Sequence, residues 1–145
     1  MTEQDRGHYS KKHPIEKKID PAIAKAVEDK AKDKKITCAA AFKIADVCGT
    51  TPGEVGFTID RLEICIVRCQ MGIFGYEPEK KAVKPMEIVI DELEKAIRGK
   101  LNKDERLTCA SAWEIAKAFN IPKMHVSSAC EKLGIKIKPC QLGAF

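Results

Sequence analysis

The stretch IADVCGTTPGEVGFTID, residues 44–60, decides how this chain folds. Its apolar first half stops at Gly49, a residue type that readily takes the left-handed backbone conformation found just after a helix. Thr51, Pro52 and Glu54 then follow in the order of a helix start. Thr caps the first turn, Pro fits the first helical position, and Glu three residues after the cap completes a capping box. The stretch therefore predicts two helices joined by a tight turn.

The same pattern occurs twice in the chain, at an offset of 71 residues. Between residues 14–74 and 85–145, 20 of 61 ungapped positions are identical. The identities include a CQxGxF phrase that begins at Cys69 and again at Cys140. A match of this length indicates an internal duplication. We therefore divide the chain into a flexible polar tail (1–13), a first repeat (14–75), a linker (76–84) and a second repeat (85–145).

Each repeat contains three predicted helices followed by a short alternating stretch. In the second repeat Asn120 stands where the first has Gly49, and Asn is the other residue that commonly adopts the left-handed conformation after a helix. The stretches that begin at Ile64 and Ile135 alternate in a way typical of half-buried β-strands. The predicted fold class is mainly α, with two tandem three-helix units that each end in a short strand.

Residues 44–60 resemble the helix-turn-helix signature of bacterial repressors, in a reduced winged-helix form. Ala45 occupies the position where that family keeps a small residue for close helix crossing, and Val55 the position that locks the second helix onto the first. Ala116 and Val126 match in the second repeat. The resemblance implies tandem helix-turn-helix units and double-stranded DNA as the partner.

In such motifs, side chains near the start of the second helix reach the DNA bases. The second repeat offers polar and basic residues there, whereas the first offers Pro52, Gly53, Gly56, Phe57 and Asp60, which make a poor DNA-reading surface. The sequence therefore predicts a transcriptional regulator whose second repeat is the main DNA reader. The predicted DNA-binding residues are Lys117, Lys123, His125, Ser127, Ser128, Lys132, Lys136 and Lys138.

A non-enzymatic protein–protein interaction module is the alternative, because helix-turn-helix units also serve in protein assemblies. Phe57, Met71 and Phe74 are then expected to be exposed, for contact with a second copy of the chain or with a partner protein. A steep loss of affinity with added salt distinguishes DNA binding from apolar docking.

The cysteines that recur in both repeats leave three interpretations open. Cys38 and Cys109 each follow a capping Thr, and Cys69 and Cys140 each open the CQxGxF phrase. They are structural thiols, a thiol-sensing pair in each repeat, or a tetrahedral metal site formed by all four. Structural thiols are the favoured interpretation, because no CxxC spacing is present. No cofactor and no other metal site is predicted.

Composition narrows the class of protein further. The hydrophobic fraction of 44% is that of a folded globular chain, and the net charge is +5. No apolar run approaches the length of a membrane span, and the N-terminus lacks the apolar core of a signal peptide, so a cytoplasmic location is expected. The sequence shows no Ser/His/Asp arrangement, no glycine-rich phosphate loop and no convergent carboxylate pair. The protein is therefore expected not to be an enzyme.

Overall fold

The computed structural model describes residues 17–77 and 80–144, so the predicted tail (1–13) lies outside the described residues. The described chain is mainly helical, as the sequence predicted. Its elements in chain order are α1 (Pro21–Lys30), β1 (Lys35–Thr37), α2 (Cys38–Cys48), α3 (Pro52–Arg61), β2 (Cys65–Val67), α4 (Asp91–Gly99), α5 (Cys109–Phe119) and α6 (Lys123–Leu133).

The chain divides into two compact units, and the C-terminal residues belong to the first of them. Unit one comprises the chain up to Cys69 together with the segment from Gln141 onward, and unit two runs from Gln70 to Cys140. The sequence placed each CQxGxF phrase at the end of its own repeat. In the structure the residues after Cys69 belong to unit two, and those after Cys140 belong to unit one. Each unit is thus completed by the phrase of the other repeat.

In unit one, α1 packs on both α2 and α3, and the predicted caps are present. The Thr37 hydroxyl accepts a hydrogen bond from the Ala40 N–H, and the Thr51 hydroxyl accepts one from the Glu54 N–H, each at 3.1 Å. Gly49 closes α2 in the left-handed conformation, with φ at 63°. The turn between α2 and α3 therefore has the geometry that the residues of this stretch favour.

Unit two contains the three equivalent helices with different side chains. Its α5 packs on α4 and α6, and Thr108 caps α5 through a 3.1 Å hydrogen bond from the Ser111 N–H. Asn120 closes α5 with φ at 53°, as the sequence predicted. The core of this unit is apolar and includes Ile97 and Ile115.

A parallel pair of short strands, β1 and β2, lies beside the helices of unit one, with Ile36 paired to Ile66. The sequence predicted β2 but not β1. In the described part of unit two, the equivalent pairing is a single parallel bridge between Leu107 and Ile137 rather than a strand. The second predicted strand is therefore reduced to one residue.

Candidate nucleic-acid interface

The stretch that follows α6 presents two lysines to solvent. The Leu107 N–H donates to the Lys136 carbonyl at 3.0 Å, and the Lys138 N–H donates to the Leu107 carbonyl at 2.8 Å. Ile137 lies between the two lysines and is buried. Side chains alternate along an extended backbone, so the two lysines project on the side opposite Ile137. Both are exposed.

Four lysines of the predicted DNA-binding set are exposed and form no ion pair with any residue in 17–77 or 80–144. His125 is exposed as well. Among the described residues no carboxylate pairs with these lysines, so their positive charges are available to a polyanion. We call this set the basic surface: Lys117, His125, Lys132, Lys136 and Lys138.

The cations of the basic surface do not recur at the equivalent positions of the first repeat. At those five positions it has Asp46, Glu54, Arg61, Cys65 and Val67. The one cation among them, Arg61, donates a 2.8 Å hydrogen bond from Nη2 to the Lys17 carbonyl, and its guanidinium lies 5.1 Å from the centre of the Phe57 ring. The two repeats therefore differ in charge at these positions.

Lys123 was predicted to reach DNA, but its ammonium group is engaged within unit two. The Nζ atom lies 3.9 Å from the centre of the Trp113 ring, and it donates a 3.2 Å hydrogen bond to Gln70 Oε1. A cation over an indole face is held by the negative charge density of the ring. The geometry therefore gives Lys123 a packing role, which the sequence did not reveal.

Ser127 and Ser128 do not point outward as the sequence predicted. Ser127 is 1% exposed, and its hydroxyl has no hydrogen-bond partner within the described residues. The Ser128 hydroxyl donates a short hydrogen bond to the Lys84 carbonyl, and the Ser128 carbonyl accepts one from the Met86 N–H at 3.2 Å. Ser128 is engaged because the chain around Lys84 and Met86 lies against α6, and Ser127 is buried.

We call residues 70–77 and 80–86 the covering segment, because they lie along one face of α6. Beyond the contacts of Gln70, Lys84 and Met86, Lys81 Nζ forms an ion pair with Glu131 Oε1 at 2.6 Å. A Cβ added to Gly72 would lie 3.3 Å from the Met124 sulfur. These contacts occupy the face of α6 on which base-reading residues were expected. The exposed positive charges of the basic surface lie elsewhere, mainly between residues 132 and 138.

In unit one the equivalent helix, α3, is buried over six consecutive residues from Val55 to Asp60. The backbone of Leu142 lies directly against Gly56. The Phe57 ring is 2% exposed and is covered by Lys17, whose Nζ lies 4.1 Å from the ring centre. This helix presents no reading surface.

The residues expected to form an apolar interface are buried or half-buried. Phe57 is buried as just described, Met71 is 1% exposed, and Phe74 is half-buried. Phe57 is covered by Lys17, and Met71 is buried within the covering segment, so both are core residues of their units. The large apolar side chains that are exposed in the described chain are Val47, Ile88 and Ile90, none of which was predicted.

All seven cysteines lie in the described chain as thiols. Within residues 17–77 and 80–144, no three His, Cys, Asp or Glu side chains group closely enough to hold a metal ion. The four-cysteine metal site considered above is therefore not formed. Burial raises the pKa of the Cys130 thiol from 9.0 to about 12, with a smaller contribution from the nearby Glu131 carboxylate. Cys130 is an inert core thiol.

No protein-family model, curated protein or solved structure matches the chain. None of the described helices combines the length and apolar character needed to cross a membrane.

Proposed function

We propose that the chain is a double-stranded DNA-binding protein, with a role in transcription regulation, built from two helix-turn-helix units. The turns at Gly49 and Asn120, the threonine caps of α2 and α5, and the packing of α2 on α3 and of α5 on α6 support this arrangement. Small residues at the helix crossing, Ala45 and Ala116, are both buried. These features are shared by the two repeats, so they support the architecture rather than the choice of partner.

The observation that carries DNA binding is the set of four exposed lysines without ion-pair partners among the described residues. Exposed lysines attract the phosphate backbone, and the counterions released on contact supply the favourable free energy. The equivalent positions of the first repeat are acidic, apolar or engaged. The second repeat is therefore the DNA-contacting part, through its basic surface.

The contacts we propose are with phosphates more than with base edges. Lys123, Ser127 and Ser128 are engaged or buried, so they do not supply the base-reading set that the sequence predicted. Phosphate contacts fix orientation on the duplex but carry no sequence information. We therefore expect affinity for duplex DNA with a small difference between sequences.

The test is binding of a fluorescent mixed-sequence duplex to the full chain, measured by anisotropy. The triple variant Lys132→Glu, Lys136→Glu, Lys138→Glu is expected to lose binding. The matched control is Lys25→Glu, Lys43→Glu, Lys103→Glu, which changes the net charge equally at exposed lysines that also lack ion pairs among the described residues. Equal losses in the two triple variants, with circular dichroism unchanged, would contradict a specific basic surface.

A protein-interaction module is the second candidate, favoured by one observation. Ile88 and Ile90 are 80% and 56% exposed, an unusual exposure for large aliphatic side chains so close together. If these residues serve a partner protein, Ile88→Ser with Ile90→Ser abolishes capture of that partner and leaves the DNA anisotropy unchanged. A loss of DNA binding in this variant would contradict the assignment of Ile88 and Ile90 to a protein partner.

A further inference from the structure

Two cysteines that recur in both repeats lie side by side in unit two. The Cys109 N–H donates a 3.1 Å hydrogen bond to the carbonyl of Pro139, the residue immediately before Cys140. This bond lies next to the parallel bridge between Leu107 and Ile137. It places the backbones of Cys109 and Cys140 next to each other, and disulfides join Cα atoms that are roughly 4.4–6.8 Å apart.

The two thiols differ in exposure, which sets the order in which an oxidant reaches them. Cys140 is half-buried and accessible to a small oxidant, whereas Cys109 is 6% exposed. Cys130 of the same unit is 1% exposed, and Cys48 and Cys65 align with Phe119 and Lys136 in the other repeat. The recurring pair is thus distinguished from the other cysteines by its position and by its repetition.

We propose that Cys109 and Cys140 form a peroxide-sensitive dithiol site, in which Cys140 is oxidised first and Cys109 resolves it to a disulfide. This inference does not depend on DNA binding. It assigns a chemical role to the CQxGxF phrase, whose first residue is Cys140.

The chemistry balances with hydrogen peroxide as the oxidant. The Cys140 sulfur attacks one peroxide oxygen, the O–O bond breaks, and a sulfenic acid and one water form. The Cys109 sulfur then attacks the Cys140 sulfur, the S–O bond breaks, and the hydroxyl leaves as a second water with the Cys109 proton. Two thiols and one peroxide thus give one disulfide and two waters, and two electrons pass from sulfur to oxygen.

Unit one contains the equivalent pair in a more protected form. The register pairs Thr37 with Val67, so Cys38 and Cys69 follow at the same end of the two strands. Both are buried, at 5% and 4% exposure. Peroxide therefore reaches this pair more slowly, and unit two is expected to oxidise first.

The experiment treats the full chain with a small molar excess of hydrogen peroxide, quenches it with acid, and counts thiols after denaturation. The wild-type chain is expected to fall from seven thiols to five, because two cysteines join in one disulfide. Peptide mapping without reductant should identify the Cys109–Cys140 cross-link. Dithiothreitol should restore all seven thiols.

The decisive variant is Cys140→Ser, a conservative change at a half-buried position, which should form no early disulfide. Cys130→Ser is the control and should lose two thiols as the wild type does. Retention of seven thiols by the wild-type chain, or an early disulfide that maps to another pair, would overturn the proposal. Since the mapping is done on the unaltered chain, this result stands even if a variant fails to fold.

Discussion

The main-chain carbonyl of Leu142 lies directly against Gly56 in the middle of α3. A Cβ placed on Gly56 would lie 1.8 Å from that oxygen, a distance that two non-bonded heavy atoms cannot maintain. The C-terminal segment of unit one therefore packs on α3 at a position where the absence of a side chain admits it. This contact explains why the last residues of the chain belong to unit one.

We expect Gly56→Ala to destabilise unit one strongly, because a backbone atom cannot rotate away as a side chain would. Overpacking of a core typically costs about 1–3 kcal/mol. The matched control is Gly53→Ala on the same helix, where the added Cβ would meet only the Thr51 hydroxyl at 3.8 Å. That change should stabilise the helix by roughly 0.5–1 kcal/mol. Chemical denaturation of both variants measures their free energies of unfolding. Similar denaturation midpoints would contradict the close contact between the Leu142 backbone and Gly56.

Leu142→Ala tests which unit the C-terminal phrase completes. Leu142 is 1% exposed, and truncation of a buried leucine costs about 2–5 kcal/mol. We expect hydrogen exchange to accelerate in α3 of unit one, while protection of α6 in unit two is retained. Faster exchange confined to α6 would mean that the phrase belongs to its own repeat, as the sequence alone suggested.

The left-handed turns provide a third prediction. Gly49→Ala places a Cβ in open space, so its cost is backbone strain alone, about 1–2 kcal/mol at a φ of 63°. The same substitution at Gly99 also meets open space, but φ there is not in the left-handed region, and the change should be neutral or stabilising. Thermal unfolding of the two variants measures the difference. Equal melting temperatures would show that the α2–α3 turn does not require this conformation.

Substitutions of Lys123 and Lys132 are expected to have different effects, the first on thermal stability and the second on DNA binding. Lys123→Ala loses the contact with Trp113, worth about 0.5–1 kcal/mol for a partly exposed cation, and the hydrogen bond to Gln70. Its melting temperature should fall. Lys132→Ala should leave the melting temperature unchanged and weaken DNA binding. A reversed pattern, with Lys132 the stabilising residue, would contradict the contacts of Lys123.

Local features of the fold were predictable from sequence, while contacts between distant segments were not. Thr37, Thr51 and Gly49 specify caps and a turn through their immediate neighbours, and the structure confirms each. The strand β1 was missed because it is three residues long and has one buried residue, Ile36, among lysines. Its pairing with β2 joins positions 30 residues apart and leaves no local pattern.

The candidate site was predictable in part, for the same reason. Exposure of Lys132, Lys136 and Lys138 follows from helix and strand periodicity within one repeat. The covering of Phe57 by Lys17 and the contact of Ser128 with Lys84 involve segments outside the three helices, which a helical pattern does not specify. Repeat alignment likewise equates Met71 with Leu142 but does not tell which unit each completes.

The salt dependence of DNA binding tests the central claim most directly. The logarithm of the association constant for a mixed-sequence duplex is measured against the logarithm of salt concentration, for the wild type and for Lys132→Ala with Lys136→Ala and Lys138→Ala. We predict a linear fall for the wild type and a slope shallower by about 1 per lysine removed, roughly 3 in all. Binding that does not weaken with salt, or a variant slope equal to that of the wild type, would contradict the assignment of these lysines to phosphate contacts.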